Sequence, residues 1–227
     1  MFGLFGHSYI CCMCGERKSG AELVYKNSCI CDDCFAKLET TPENSMFGGQ
    51  WDIDFLSVPF YYTDEYRRAF LNFKFGGNIA IGHLLGLACG RYFKRHSILS
   101  EYDCMVPVPL TKKGERRRGF NQAELLAEYF SAACGVPLDR ALRRNGEKAP
   151  QSTLSGAERM RNVVDAFEVC GDVRGMRVLI ADDLFTTGST MNECARMLKS
   201  AGAVCAAGLA AACGKSRLGV TEDIDFE

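Results

Sequence analysis

Two carboxylates and a run of small hydroxyl residues, Asp182, Asp183, Thr186, Thr187, Gly188, Ser189 and Thr190, crowd into one short stretch of this chain. Adjacent carboxylates suit a hydroxyl-rich ligand or a metal. The threonine and serine hydroxyls suit an anion, and Gly188 permits the tight turn that aims backbone N–H groups inward at it. Carboxylates beside an anion cup describe a ribose 5-phosphate. The alternative is the metal-binding strand of a P-loop nucleotidase, which requires G-x-x-x-x-G-K-[ST] elsewhere. The nearest match, Gly208 to Gly214-Lys215-Ser216, has one residue too many and follows the acidic strand instead of preceding it.

Two further groups could do chemistry. Cys11-x2-Cys14 and Cys31-x2-Cys34 have the spacing of a zinc ribbon, in which two knuckles close one tetrahedral thiolate site. A segment with so few large apolar residues needs a metal in place of a core. Cys12 and Cys29 fall outside this pairing, His7 is a weaker ligand candidate, and the competing reading is free or redox-active thiols. The other group is cationic: Lys112, Lys113, Arg116, Arg117 and Arg118 face only Glu115. Such a run is often a solvated face, but here it follows a strand end, where open α/β sheets bind ligands.

The elements that must position these groups are legible in outline. Val178, Leu179, Ile180 and Ala181 form a continuous apolar run, the pattern of a central parallel strand, with the two aspartates following it. A helix starts at Ser189, carries Cys194, Met197 and Leu198 on one face, and stops at Gly202. Its N-terminus, with free N–H groups and partial positive charge, lies under the hydroxyl turn. A second strand, 104–109, ends in prolines, the basic residues form a loop, and Asn121 with Glu124 caps the next helix, which carries Leu125, Leu126, Tyr129 and Phe130. Residues 55–62 read as a strand and Asp64 as the cap of a short helix through Phe73. Lys74, at the Phe73-Lys74-Phe75-Gly76-Gly77 turn, is placed to reach the site, with an exposed lysine as the favoured reading. After the Gly76-Gly77-Asn78 break, Ile81, Leu84, Leu85, Ala88, Cys89, Tyr92 and Phe93 mark a helix, with His83 partly buried beside that stripe. Ser155 and Glu158 make a capping box, 166–169 a strand, 204–213 the last strand, and the acidic end from Glu222 a disordered tail. Residues 40–50 read as a linker. It divides a ribbon domain, 1–45, from a larger α/β domain, 51–227, and separates their cores.

Composition sets the bounds. With 227 residues and 47% hydrophobic content, the chain supports one good core and a small appendage. A net charge of -1 leaves any attraction to nucleic acid to local patches. Thirteen cysteines without a recognisable signal peptide fit a reducing cytoplasm. The longest apolar stretches fall short of the ~18 residues expected of a membrane span.

The stretch 178–190 resembles the phosphoribosyl pyrophosphate motif of type I phosphoribosyltransferases: four apolar residues, two acids, then Thr-Thr-Gly-x-Thr. Ala181 and Leu184 are mild departures that stay apolar. V-P-V-P-L followed by R-R-R-G-F-N-Q-A-E-L-L-A narrows the resemblance to the ComF family, which pairs a zinc ribbon with a phosphoribosyltransferase domain. Pro150-Gln151, Leu154-Ser155, Glu158-Arg159-x-Arg161-Asn162-Val163 and Ala166-Phe167 extend it, so that it covers Cys11 to about Gly214.

The resemblance implies an α/β fold, a type I phosphoribosyltransferase-like parallel sheet flanked by helices and preceded by the ribbon. It implies that Asp182 and Asp183 hold ribose hydroxyls near magnesium, and that Phe185 through Thr190 surround the 5-phosphate. Val108 and Pro109 would then meet pyrophosphate, while Arg116, Arg117 and Arg118 belong to a flexible lid. Zinc would sit on Cys11, Cys14, Cys31 and Cys34. The implied activity is transfer of phosphoribose to a nitrogenous acceptor, in association with DNA uptake. From another class comes a non-catalytic module that binds phosphoribosyl pyrophosphate and single-stranded DNA within a transformation complex. Phe120 alone interleaves the basic loop, so base stacking is not evident there.

Overall fold

A computed structural model of the chain describes residues 8–19, 21, 23–38, 40–41, 45–46, 51–95, 97–145 and 166–214. The expected capping box at Ser155, the motif pieces between 150 and 163, His7 and the acidic tail lie outside these residues.

The chain opens with a small sheet of β1 (Tyr9–Cys11), β2 (Arg17–Lys18), β3 (Leu23–Tyr25) and β4 (Ser28–Ile30), in the order β2-β1-β4-β3. Helix α1 (Asp32–Ala36) follows at once. The expected linker is partly structured: Thr40 bridges Phe60, and β5 (Ser45–Met46) pairs antiparallel with β6 (Phe55–Ser57). The single strand expected over 55–62 is two, β6 and β7 (Phe60–Tyr61), with Pro59 between them and unable to donate to a ladder. Helix α2 (Asp64–Lys74) is capped not by Asp64 but by Thr63, whose hydroxyl accepts from the Tyr66 N–H at 3.4 Å. Helix α3 (Ile79–Phe93), a 3₁₀ turn (Ser97–Glu101) and β8 (Cys104–Pro107) come next.

The basic stretch expected to be a loop is a helix, α4 (Lys112–Arg118). Thr111 caps its start by accepting from the Gly114 N–H at 2.9 Å, and Gly119, at φ 84°, ends it. Helix α5 (Gln122–Cys134) starts on Asn121, which accepts from the Ala123 N–H. Glu124 binds Arg140 across an ion pair, where a capping box was expected. The ribbon of β9 (Leu142–Arg144) and β10 (Phe167–Val169) precedes β11 (Arg177–Phe185), α6 (Ser189–Ser200) and β12 (Cys205–Cys213).

The main sheet runs β5-β6-β12-β11-β8, with β7 also on β12, and is parallel except for β5. Strand β11 lies between β12 and β8 and is longer than expected, because both aspartates fall within it. Its alternate residues enter opposite layers, as a two-residue period requires. Leu179 and Ala181 join Phe70, Phe73, Leu84, Leu126 and Phe130 of α2, α3 and α5. Val178 and Ile180 join Met191, Cys194 and Leu198 of α6.

The first of these layers also takes in the ribbon. Cys11, Leu23 and Ile30 belong to the same buried cluster as Phe73 and Leu85. His83 of α3 stacks on Tyr25 and is hydrogen-bonded through Nδ1 to the Tyr129 hydroxyl of α5. The two cores expected to be separate are therefore continuous. Gly82 and Gly86 make room for the close packing of α3, since a Cβ there would come 2.3 Å from Phe73 and 2.6 Å from Tyr129. Among the described residues, no helix is long and apolar enough to cross a membrane.

Candidate functional site

The carboxyl ends of β11 and β8 open a crevice in which charge is concentrated. Asp183 is 8% exposed, and its backbone N–H donates to Asp182 Oδ1 at 2.8 Å. Burial, reinforced by the charge of Asp183, pushes the Asp182 carboxyl up to about 7, against the opposing pull of that N–H, Lys74 and Arg144. The Nζ of Lys74 lies 3.7 Å from Asp183 Oδ2. This last-turn residue of α2 is part of the crevice, so that its reach to the site prevails over the favoured reading of an exposed lysine.

The cations come from three elements: Lys74 on α2, Arg118 on α4 and Arg144 on β9. Arg118 is half-buried, in contrast to the exposed Arg116 and Arg117. Its Nη1 donates to Gln122 Oε1 at 3.0 Å, and its guanidinium lies over the ring of Phe75, 5.5 Å from the centroid. Burial lowers the pKa of Arg118, while the charges of Asp183 and Asp182 act in the other direction. Among the described residues, Arg118 Nε and Gln122 Nε2 are buried without hydrogen-bond partners. Lys112, Lys113, Arg116, Arg143 and Arg144 line a cleft of about 460 Å³ between α4 and the β9–β10 ribbon.

The hydroxyl turn links β11 to α6. Gly188 holds φ at 76°, a left-handed conformation that an L side chain rarely adopts, and a Cβ there would sit 2.6 Å from both Phe185 and Trp51. Phe185, expected among the ligand-contacting residues, is 3% exposed with its ring 6.4 Å from that of Trp51, so its side chain supports the turn from below. Thr187 Oγ1 and Ser189 Oγ share a hydrogen bond of 2.6 Å, and the Ser189 N–H also points to Thr187 Oγ1 at 3.4 Å. Thr186 and Thr190 are half-buried, and Thr187 is exposed at the tip. Asn192 Oδ1 accepts from the Asp52 N–H at 2.7 Å, which fastens the segment carrying Trp51 to α6.

At the neighbouring strand end, β8 stops at Pro107, and the Val108 N–H donates to the Ala181 carbonyl at 2.8 Å. The Val108 carbonyl in turn accepts from Asn121 Nδ2 at 3.0 Å. Val108 and Pro109 are thus fixed beside the aspartate strand and at the foot of α5. Sequence reasoning missed Arg144 and Trp51, and it held Lys74, at a helix end ahead of Gly76-Gly77, only as the lesser of two readings.

The cysteine pairs converge as their spacing predicts. The sulfurs of Cys11, Cys14, Cys31 and Cys34 all lie within 4.8 Å of one another. A tetrahedral thiolate site with ~2.3 Å bonds requires sulfurs about 3.8 Å apart, so this set fits a metal ion with little adjustment. Burial opposes ionisation of Cys11, but the N–H groups of Cys14, Cys31 and Met13 outweigh it and bring the thiol down to about 7. Cys12 and Cys29 go the other way, pushed by burial up to about 12 and about 11.

Comparison with known proteins adds names to this geometry. Residues 114–225 match the family model of the phosphoribosyl transferase domain. The chain is 28% identical over 194 residues to competence protein ComFC of Bacillus subtilis, covering 86% of this chain and 73% of that protein. It is 29% identical over 194 residues to competence protein F of Haemophilus influenzae, covering 81% and 84%. A shorter match, 40% identical over 102 residues, reaches the DNA utilization protein YhgH of Escherichia coli and covers 44% of this chain and 45% of that one.

Proposed function

Because this chain is a member of the ComF family, a cysteine-rich ribbon ahead of a type I phosphoribosyltransferase fold, we propose that it binds phosphoribosyl pyrophosphate with magnesium in the crevice at the ends of β11 and β8. The observation that carries this reading is the uninterrupted order of strand, carboxylates, glycine-centred hydroxyl turn and helix over Arg177–Phe185 and Ser189–Ser200. Asp182 and Asp183 take the ribose hydroxyls and the magnesium, and the backbone and hydroxyls of Thr186 to Thr190 take the 5-phosphate. Val108, Pro109 and Arg118 border the pyrophosphate, with Arg116 and Arg117 on the outer, exposed face of α4. Bound magnesium would neutralise charge on the pyrophosphate leaving group. Zinc occupies the four-cysteine site, and the ribbon, 1–45, and the larger domain, 51–227, act as one folding unit.

The reaction proposed is attack by a nitrogen of an acceptor base on the anomeric carbon of the ribose. The bond from that carbon to pyrophosphate oxygen breaks, pyrophosphate leaves with the electron pair, and the acceptor nitrogen loses a proton. The protein's part is placement and charge stabilisation. Thirteen cysteines, none in a disulfide among the described residues, fit a reducing cytoplasm.

A second reading, a non-catalytic module that grips single-stranded DNA, is favoured by the cleft of Lys112, Lys113, Arg116 and Arg144, in which Arg143 is paired with Glu168, and by the names of the relatives. Calorimetry with phosphoribosyl pyrophosphate and magnesium tests the first reading: no heat and no thermal shift at millimolar ligand would sink it. Binding without pyrophosphate release from any of a panel of nitrogenous bases would favour the module.

A further inference from the structure

The two crevice carboxylates are attended by cations of this chain. Lys74 reaches Asp183 at 3.7 Å from the last turn of α2. Arg118 and Arg144 approach from α4 and β9 and act electrostatically on Asp182. A free divalent ion entering among these three positive groups would meet repulsion, and the two carboxylates that could offset it are already attended by those cations. Beside the carboxylates Arg118 keeps one donor without an acceptor: its Nε is buried and unpartnered among the described residues, while its Nη1 is held by Gln122. Buried donors of that kind are costly unless an acceptor arrives. The lysine sits at the solvent edge of the crevice. Its side chain is 22% exposed, it leans over the ring of Phe70 at 5.3 Å, and the chain beyond it at Phe75 and Gly76 is open to solvent.

We propose that Lys74 is an internal counter-cation that holds Asp183 in place of a divalent ion, so that the carboxylate pair refuses a free divalent cation and accepts one only with a pyrophosphate-bearing ligand. The negative charge of that ligand draws Lys74 off Asp183, supplies an acceptor to the free donor of Arg118, and balances the incoming metal. Lys74 is on this account a positioning and selectivity residue. The inference deepens the reading of the crevice as a phosphoribosyl pyrophosphate site and rests on it.

The test uses the zinc-loaded full chain with manganese as the probe, followed by electron paramagnetic resonance and calorimetry. Wild type is expected to bind free manganese at least ten-fold more weakly than K74M and K74Q, with K74R behaving as wild type and D183N abolishing the gain in a K74M background. Titration with the preformed manganese–pyrophosphate complex is expected to erase most of the difference between wild type and K74M. Equal affinity of wild type, K74M and K74Q for free manganese overturns the proposal, as does K74R matching K74M. A separate titration with phosphoribosyl pyrophosphate distinguishes the two failures. If wild type gives no heat with it while K74M still gains manganese, the ligand reading falls and the counter-cation stands. If wild type binds it and K74M gains nothing, the counter-cation alone falls.

Discussion

The imidazole of His83 lies nearly flat against the ring of Tyr25, with centroids 3.9 Å apart and planes 20° from parallel. One ring belongs to the larger domain and the other to the cysteine ribbon, so the two share a stability. Cys31→Ser is expected to lower metal content and to destabilise the whole chain, with ribbon and domain unfolding in one transition. Tyr25→Ala, which leaves the metal site intact, should cost about 0.5–1.5 kcal/mol by removing the stacked ring. Urea denaturation followed by circular dichroism checks both. Two separate transitions, with the larger unchanged by Cys31→Ser, would show the cores to be independent.

Asp182 makes stability depend on pH in an uncommon direction. Its folded-state pKa, about 7, stands above the ordinary aspartate value of about 3.9. The folded chain therefore binds more protons than the unfolded chain between those values, and stability falls as pH rises through that window. Asp182→Asn is expected to melt at the same temperature as wild type near pH 4 and at a higher one near pH 8. Ligand recognition by the ionised carboxylate should weaken as pH drops below about 7. Thermal melts and calorimetry across pH 4 to 8 measure both effects.

The hydroxyl turn separates binding from folding. Thr187→Val removes the Oγ1 that meets Ser189 and is exposed at the turn's tip. It should weaken phosphoribosyl pyrophosphate by about 1.5–3 kcal/mol, the range for a hydrogen bond to a charged group, with the melting temperature nearly unchanged. Gly188→Ala combines a left-handed φ with the 2.6 Å approach of Phe185 and Trp51 and should destabilise the fold itself by at least about 1–2 kcal/mol. Parallel calorimetry and denaturation resolve the two variants.

The three consecutive arginines should also divide. Arg118→Ala leaves Gln122 buried with its Oε1 unpartnered and removes a cation from the carboxylates, so it should cost about 1–3 kcal/mol of stability and weaken the small ligand. Arg116 and Arg117 are exposed. Their replacement with alanine should leave stability unchanged and flatten the salt dependence of single-stranded DNA binding, by about 0.7 in log–log slope for each phosphate that is no longer neutralised. Affinity that does not respond to salt in either protein would make the outer face of α4 a solvated surface.

The contiguous part of the site was legible because strand, acids, turn and helix follow one another without long-range partners. The cysteine knuckles were legible for the same reason, since each pair is local and the two pairs have one geometry in which to meet. The helix over Lys112–Arg118 carried its own signals, Thr111 ahead and Gly119 behind, but the density of charge read as a loop. What the sequence did not disclose is tertiary. Lys74 meets Asp183 only because α2 ends above β11, and the ribbon joins the main core only because Tyr25 and the buried Leu23 and Ile30 come to lie against α3. Neither relation leaves a periodicity or a motif behind.

Trp51 is the chain's single tryptophan, and it stands against the glycine at the centre of the hydroxyl turn. Its indole is 37% exposed, held between solvent and Phe185 by a segment fastened to α6. The protein thus carries one intrinsic fluorophore beside the turn proposed to hold the 5-phosphate. A phosphate bound at Gly188 would change the polarity beside that indole, so the proposed occupancy of the turn is expected to show in the unmodified chain as a change of emission wavelength and quenching, with no competing tryptophan signal from the ribbon or from the far side of the sheet.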